Sequence, residues 1–203
     1  MIPGIITKTA AGMENNTNAK KREFWKPVPQ TFSVLKAGSK IVKPYGVMDP
    51  YSVYTYIRDG VSREQTEKLR SIMDPKEFRK YKFNAFETAL FSGVFGRKEE
   101  SGLQKPTGYV CFDFNHVSVQ QTKDILMGLE QFETILLFTS ASGHGVKWVV
   151  NNNFVFKHTD FYNVVSDYLW EKYRIEADKN SSGIATGCLL PYDPEVYINP
   201  NYS

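Results

Sequence analysis

Thr139-Ser140-Ala141-Ser142-Gly143-His144-Gly145-Val146-Lys147-Trp148-Val149-Val150 is the stretch on which the fold turns. Ile135-Leu136-Leu137-Phe138 precedes it, and Val146–Val150 closes it with β-branched and aromatic residues. Two short apolar runs joined by small residues predict a β-hairpin. The turn between them is chemically loaded. Gly143 and Gly145 admit positive φ or a close backbone approach. Backbone N–H groups, the hydroxyls of Ser140 and Ser142, the His144 imidazole and the Lys147 ammonium then converge. Such a turn suits an anionic oxygen such as phosphate. A plain tight hairpin with a solvated histidine is the bland alternative.

Upstream, Tyr109-Val110-Cys111-Phe112-Asp113-Phe114-Asn115 reads as a strand that ends in polar groups. Alternation puts Val110, Phe112 and Phe114 on one face and Tyr109, Cys111, Asp113 and Asn115 on the other. A carboxylate among aromatics needs a partner or a metal, so Asp113 either binds a cation, caps a turn or pairs with a lysine. Ser118-Val119-Gln120-Gln121 reads as a capping box opening a helix to about Phe132. Downstream, Phe161, Val164, Val165, Tyr168 and Leu169 repeat at helical spacing behind a cap at Thr159 or Asp160. Arg174–Asp178 leaves that helix, Ser181–Gly183 is a loop, and Cys188–Leu190 is a short apolar strand before Pro191-Tyr192-Asp193-Pro194.

Towards the N-terminus, Thr31–Leu35 alternates like a strand, and Tyr51–Ile57 (Tyr-Ser-Val-Tyr-Thr-Tyr-Ile) is rich in β-formers. Ser62-Arg63-Glu64-Gln65 is a second capping box, with the helix running to about Ile72 and stopped at Asp74-Pro75. Thr88–Phe91 suggests a strand, and Gly93, Gly96 and the run Arg97-Lys98-Glu99-Glu100, closed by Pro106, a charged loop. Residues 1–30 are small, polar and basic (Lys20-Lys21-Arg22), with Pro27 and Pro29, and read as a flexible arm ahead of a single domain over 31–203.

Composition sets the outer bounds. The 203 residues are 41% hydrophobic, enough for a core, and include 12 Tyr, 14 Phe and 3 Trp. A net charge of +3 permits a polyanionic partner without demanding one. Cys111 and Cys188 both sit in apolar runs and read as reduced core thiols, which suits a cytoplasmic compartment. No apolar run reaches about 18 residues, so no spanning helix is expected, and no signal-peptide pattern is present.

Taken in order, strand-Asp-x-Asn, helix, strand-Ser-Gly-His-Gly-x-Lys-strand, helix, Asp and strand, the chain resembles the archaeo-eukaryotic primase (primase-polymerase) superfamily. More narrowly, it is similar to the bacterial and phage VirE-type N-terminal domains. Phe112-Asp113-Phe114-Asn115 matches the first motif, Ser142-Gly143-His144 the second, with Gly145 and Lys147 extending it, and Ala177-Asp178 the third. Ser92-Gly93-Val94-Phe95 with Arg97 nearby, and Tyr192-Asp193-Pro194, Tyr197 and Asn199-Pro200, fit the narrower pattern. Each motif alone is weak; the ordered set over roughly 50–200 is specific.

The resemblance implies an α+β domain with a mixed, mostly antiparallel sheet flanked by helices, containing an RRM-like unit. It implies a DNA primase or primase-polymerase nucleotidyltransferase of phage or mobile-element replication, working in the bacterial cytoplasm on a single-stranded DNA template with nucleoside triphosphates. Asp113, Asn115 and Asp178 would hold Mg2+ or Mn2+, with Asp193 the alternative third acid. Asp113, Asn115, His144 and Asp178 would be the catalytic set. Ser142, Gly143, His144, Gly145, Lys147 and Arg97 would take the nucleotide. Priming needs duplex opening and no Gly-x4-Gly-Lys-Ser/Thr motif occurs, so a replicative helicase in trans, or a further C-terminal region, is expected; a full-length gene ending at Ser203 with no helicase in the complex would count against that expectation.

Two positions depart from the pattern. Asn115 replaces the second acid of the first motif, which removes about 1–4 kcal/mol of attraction per unit of cation charge at ~4 Å, for a dielectric between water and ~20. No arginine stands in Ile184-Ala185-Thr186-Gly187, where the family carries one. A catalytically weakened or inactive relative that binds nucleotide or single-stranded DNA is therefore the alternative. A Ser142–His144 hydrolase is disfavoured, because the Gly-x-Ser-x-Gly elbow is absent.

Overall fold

A computed structural model describes residues 30–38 and 40–203; the expected arm over 1–29 lies outside the described residues. The chain runs β1 (Phe32–Leu35), β2 (Gly46–Met48), α1 (Pro50–Arg58), α2 (Arg63–Ser71), α3 (Pro75–Ala85), β3 (Thr88–Leu90), β4 (Gly93–Phe95), β5 (Leu103–Pro106), β6 (Tyr109–Asn115), α4 (Val119–Met127), β7 (Glu133–Thr139), β8 (Gly145–Asn151), α5 (His158–Tyr173), β9 (Cys188–Leu189) and β10 (Tyr197–Ile198).

The strands form two four-stranded sheets and one two-stranded ribbon. The first sheet has the order β2-β1-β3-β9, the second β10-β7-β8-β6, and β4 pairs β5. Every pairing is antiparallel. The α+β class stands. In place of one sheet flanked by helices, a second sheet is covered by α4 and α5 on one face and by the first sheet with α1 on the other.

The alternation of β6 and β8 explains this layering. Val110, Phe112 and Phe114 of β6, with Val146, Trp148 and Val150 of β8, pack under Leu126 of α4 and Phe161, Tyr162, Val165 and Leu169 of α5. Tyr109 and Val149, with Cys111 at the margin, turn the other way, against Phe32 and Val34 of β1, Ala89 of β3, Val53 and Ile57 of α1, and Cys188. Burying a large apolar side chain is worth roughly 1.5–3 kcal/mol, so both faces are paid for by apolar area, and a polar residue on either face needs a specific partner. β6 and β7 both pair antiparallel to β8, and α4 carries the chain between them. The result is a split β-α-β unit with β8 in its centre.

Tyr51–Ile57 is helix α1, not a strand. Asp49 accepts the Ser52 N–H at 2.7 Å, and Pro50 stands in the first turn, both helix-start signals. Val53 and Ile57, four apart, are buried while Tyr51 is exposed. One buried stripe at helical spacing overrode the β-propensity of the tyrosines. Asp74-Pro75 ends α2 as expected, and Asp74 also caps α3 through the N–H groups of Lys76 and Glu77. The helix after Ser118 stops at Met127, short of Phe132, and Gly128 caps it, its N–H shared between the carbonyls of Asp124 and Ile125. The expected charged loop instead contains the ribbon of β4 (Gly93–Phe95) and β5 (Leu103–Pro106).

Candidate active site at the end of the second sheet

β6 and β8 are paired so that Asp113 faces Lys147 and Asn115 faces Gly145. That register places the strand-end polar groups of β6 beside the turn after β7. The turn is tightly built. Gly143 has φ of +81°, where a side chain would be strained. A Cβ on Gly145 would collide with the Phe114 carbonyl oxygen and stand 3.0 Å from Ser140 Oγ. Ser140 donates its N–H to the Gly145 carbonyl and accepts the Gly143 N–H on its own carbonyl. Ser140 Oγ and Ser142 Oγ are 3.1 Å apart. His144 is exposed, and its N–H makes a long 3.4 Å bond to Ser142 Oγ.

Asp113 is half-buried. Its Oδ2 forms an ion pair with Lys147 Nζ, each side chain being 15% exposed. Its Oδ1 is buried and has no hydrogen-bond partner among the described residues. An orphaned carboxylate oxygen is costly. Burial would pull the Lys147 ammonium down, but the neighbouring Cys188 and Asp113 outweigh it and raise its pKa. Lys147 therefore stays cationic at neutral pH.

Asp178 comes to the same place from α5. The helix ends at Arg174 in the left-handed region, Ile175 and Ala177 bury into the core, and the Asp178 N–H donates to the Asp113 carbonyl at 2.8 Å. Tyr162 Oη fixes the Asp178 carbonyl at 2.7 Å. Asp178 Oδ1 accepts from the Asn180 N–H, and Oδ2 accepts from Asn115 Nδ2 at 3.3 Å. Asp113, Asn115 and Asp178 are thus neighbours.

Asp193 is engaged elsewhere. It is buried, pairs with Lys123 Nζ at 3.0 Å, and accepts the N–H groups of Thr139 and Glu195. Burial pushes its carboxyl up, but the Thr139 N–H and the Lys123 ammonium prevail and hold it below the usual range. Arg97 is exposed and pairs with Glu99 at 3.4 Å; its neighbour Lys98 reaches the pocket loop, its Nζ lying 2.9 Å from where a Gly187 Cβ would stand.

Three further cationic or titratable side chains escaped the sequence. Arg70 of α2 donates to the carbonyls of Ala141 and Ser140 at 3.3 and 3.4 Å, lying along the glycine turn. Lys82 of α3 is half-buried; burial lowers its pKa, Lys147 adds to that, and Asp113 and Asp178 oppose it. α3 is held there by Phe78, Tyr81 and Ala85 packing with Ala141 and Leu189. His158 is held down to about 4 by burial. It lines, with Asp113, Lys147, Cys111, Cys188 and the 181–187 loop, a cavity of about 20 Å3. That space takes about one water. A triphosphate would have to lie at the open side, where Asn115 and His144 are exposed.

Among the described residues, no group of three or more His, Cys, Asp or Glu side chains could hold a metal ion. No helix among the described residues is long and apolar enough to cross a membrane. A family model described as BT4734-like, N-terminal domain matches residues 85–198, more than half of the chain. No curated protein and no solved structure matches it.

Proposed function

The chain belongs to the BT4734-like N-terminal domain family, and we propose that it is a metal-dependent nucleotidyltransferase of the primase-polymerase type, using nucleoside triphosphates on a single-stranded DNA template. The observation that carries this reading is Asp113: a half-buried carboxylate with one orphaned oxygen, held beside Asn115 and Asp178 and next to a glycine turn rich in donors. The split β-α-β unit around β8 supports it, being the arrangement expected of an RRM-like core.

The donors fit a hard divalent cation such as Mg2+ or Mn2+, which prefers a few oxygens plus substrate phosphates. Asp113 and Asp178 would supply carboxylates and Asn115 an amide oxygen, once Lys147 turns from Asp113 and the Asn115 amide turns from Asp178. The metal would polarise the triphosphate. Lys147, released from Asp113, then takes a phosphate oxygen. Arg70, Lys82 and Lys98 add positive charge around the same opening, and the turn N–H groups with Ser142 and His144 orient the anion. This cationic rim compensates in charge for the arginine absent from 184–187.

A second reading rests on a specific observation. Asn115 donates to Asp178, a contact that two carboxylates could not make without a proton, so the Asn115–Asp178 pair needs no metal to hold it. The chain would then bind nucleotide or single-stranded DNA without turnover. Titration with Mn2+ and a nucleoside triphosphate, read by electron paramagnetic resonance alongside primer synthesis on a single-stranded template, separates the two. Mn2+ binding lost in Asp113→Asn, with primer product, supports the enzyme. Nucleotide binding without Mn2+ uptake or product supports the binder, and Asn115→Asp should then gain Mn2+ affinity of tenfold or more, on the order of 1.4 kcal/mol. No binding of either ligand would defeat both readings.

A further inference from the structure

α3 buries none of its residues fully. Phe78, Tyr81 and Ala85 hold one side of it against Leu189 and against Ala141, the residue before the Ser142-Gly143 turn. Lys76, Arg79, Lys80 and Phe83 recur at helical spacing and so share the other side. All four are exposed, and they form a shallow groove with Pro75 and Asn84. The stripe runs about 10 Å, two helical turns. Lys76, Arg79, Lys80 and Lys82 against Glu77 leave α3 a net charge of +3, as much as all 203 residues carry together. Lys76, Arg79 and Lys80 make no ion pair among the described residues. Of the nearest acids, Asp74 is engaged in the helix cap, and Glu77 lies off the stripe. A solvated basic face accounts for the cations but not for Phe83, which is 55% exposed in their midst. Cations that track a phosphate backbone beside a bare ring on which a base can stack are the parts of a single-strand platform.

We propose that this face of α3 binds single-stranded DNA, with Lys76, Arg79 and Lys80 on its phosphates and Phe83 stacked beneath a base. The proposal rests on the nucleic-acid reading above and adds to it the surface that holds the strand. Lys82 adjoins Arg79 on the helix, three residues on, and Arg70 of α2 lies along the glycine turn. Positive charge therefore continues from the stripe to the opening where Asn115 and His144 are exposed. A strand held on α3 is led to the acids without touching them, and its binding needs neither metal nor nucleotide.

The test is fluorescence anisotropy of the full chain with a labelled oligo(dT), in chelator and without nucleotide, over a series of salt concentrations. Oligo(dT) should bind, and more tightly than a duplex of equal length. The triple change Lys76→Gln, Arg79→Gln and Lys80→Gln should reduce the slope of log K against log[salt] by about 2, at ~0.7 per phosphate contact. Gln is nearly as good a helix former as Lys or Arg, so α3 persists. Phe83→Ala should weaken binding about fivefold or more and leave the slope unchanged. Lys105→Gln with Lys157→Gln, which removes exposed cations on other elements, should alter neither slope nor affinity. No binding of oligo(dT), equally tight binding of the duplex or of an acidic polypeptide, a triple variant with the wild-type slope, a slope that falls as much per charge in the control, or Phe83→Ala binding like wild type would each overturn the proposal. Oligo(dT) binding of the expected kind without Mn2+ uptake or primer product would leave this surface standing and defeat the nucleotidyltransferase reading alone.

Discussion

Lys147→Met is the most informative perturbation, because the ion pair it breaks sits where the proposed cation would bind. Removing one partner of a buried pair costs about 3–5 kcal/mol, since the other charge is left uncompensated. Here both side chains keep 15% exposure, so solvent screens part of that penalty and about 2–3 kcal/mol is expected. Asp113 Oδ1 already lacks a partner, which leaves the carboxylate no internal alternative. For a chain of this size the loss corresponds to a fall in Tm of roughly 5–10 °C. The assay is thermal and urea unfolding in chelator, repeated in Mn2+. The variant should be destabilised in chelator and should gain more from Mn2+ than the wild type, where lysine and metal compete for the same carboxylate. Adding Asp113→Leu to Lys147→Met should recover part of the loss, as a double-mutant cycle would show. A Lys147→Met chain as stable as wild type in chelator, or a double variant no better than the single one, would refute the argument that Asp113 is a strained anion awaiting a cation.

Gly145→Ala should destabilise by roughly 1–3 kcal/mol in urea unfolding, because the new methyl meets the Phe114 carbonyl and opens the β6–β8 pairing at Asn115. His158, held at about 4 when folded, binds a proton more readily unfolded. Its neutral form therefore supports the fold fully above about pH 6.5, and stability should fall between pH 6.5 and 4 by no more than about 3 kcal/mol; His158→Gln should flatten that slope in a pH series of unfolding curves. Lys123→Met leaves Asp193 buried with backbone donors only and should cost about 3 kcal/mol. Asp193 stabilises the fold above the usual carboxylate range and loses that contribution as pH falls through its depressed value, so the same variant should unfold at a higher pH on acidification, followed by circular dichroism.

The hairpin, the β6 face pattern and α5 were legible because each carries its own period. In β6 the alternation named both the core residues and Asp113 with Asn115 on the opposite face, and the structure keeps it. α1 was misread because three tyrosines outweighed Val53 and Ile57 in a propensity reading, although Asp49-Pro50 already carried a helix start. The first sheet was hidden as a separate layer because its strands are short, β9 being two residues long, and β9 joins it only by pairing with β3 across about a hundred residues of chain. The same reason hid Arg70, Lys82 and His158: nothing local marks them, and only packing of α2, α3 and α5 brings them to the turn and the cavity. Lys147 was read as a ligand contact, whereas its partner in this structure is the carboxylate directly across the ladder. That pairing follows from register, which the sequence alone does not number.

The order β2-β1-β3-β9 has a consequence for anyone cutting this chain. β1, β2 and α1 precede the matched segment 85–198, yet β1 is the strand that hydrogen-bonds the outer side of β3. A fragment starting at Ala85 would bare that side of β3 as an open edge and strip Phe32, Val34, Val53 and Ile57 from the inter-sheet core. Unprotected edges recruit strands from other copies. The fragment should therefore aggregate where the longer chain stays dispersed, because the self-sufficient unit is wider than the matched segment.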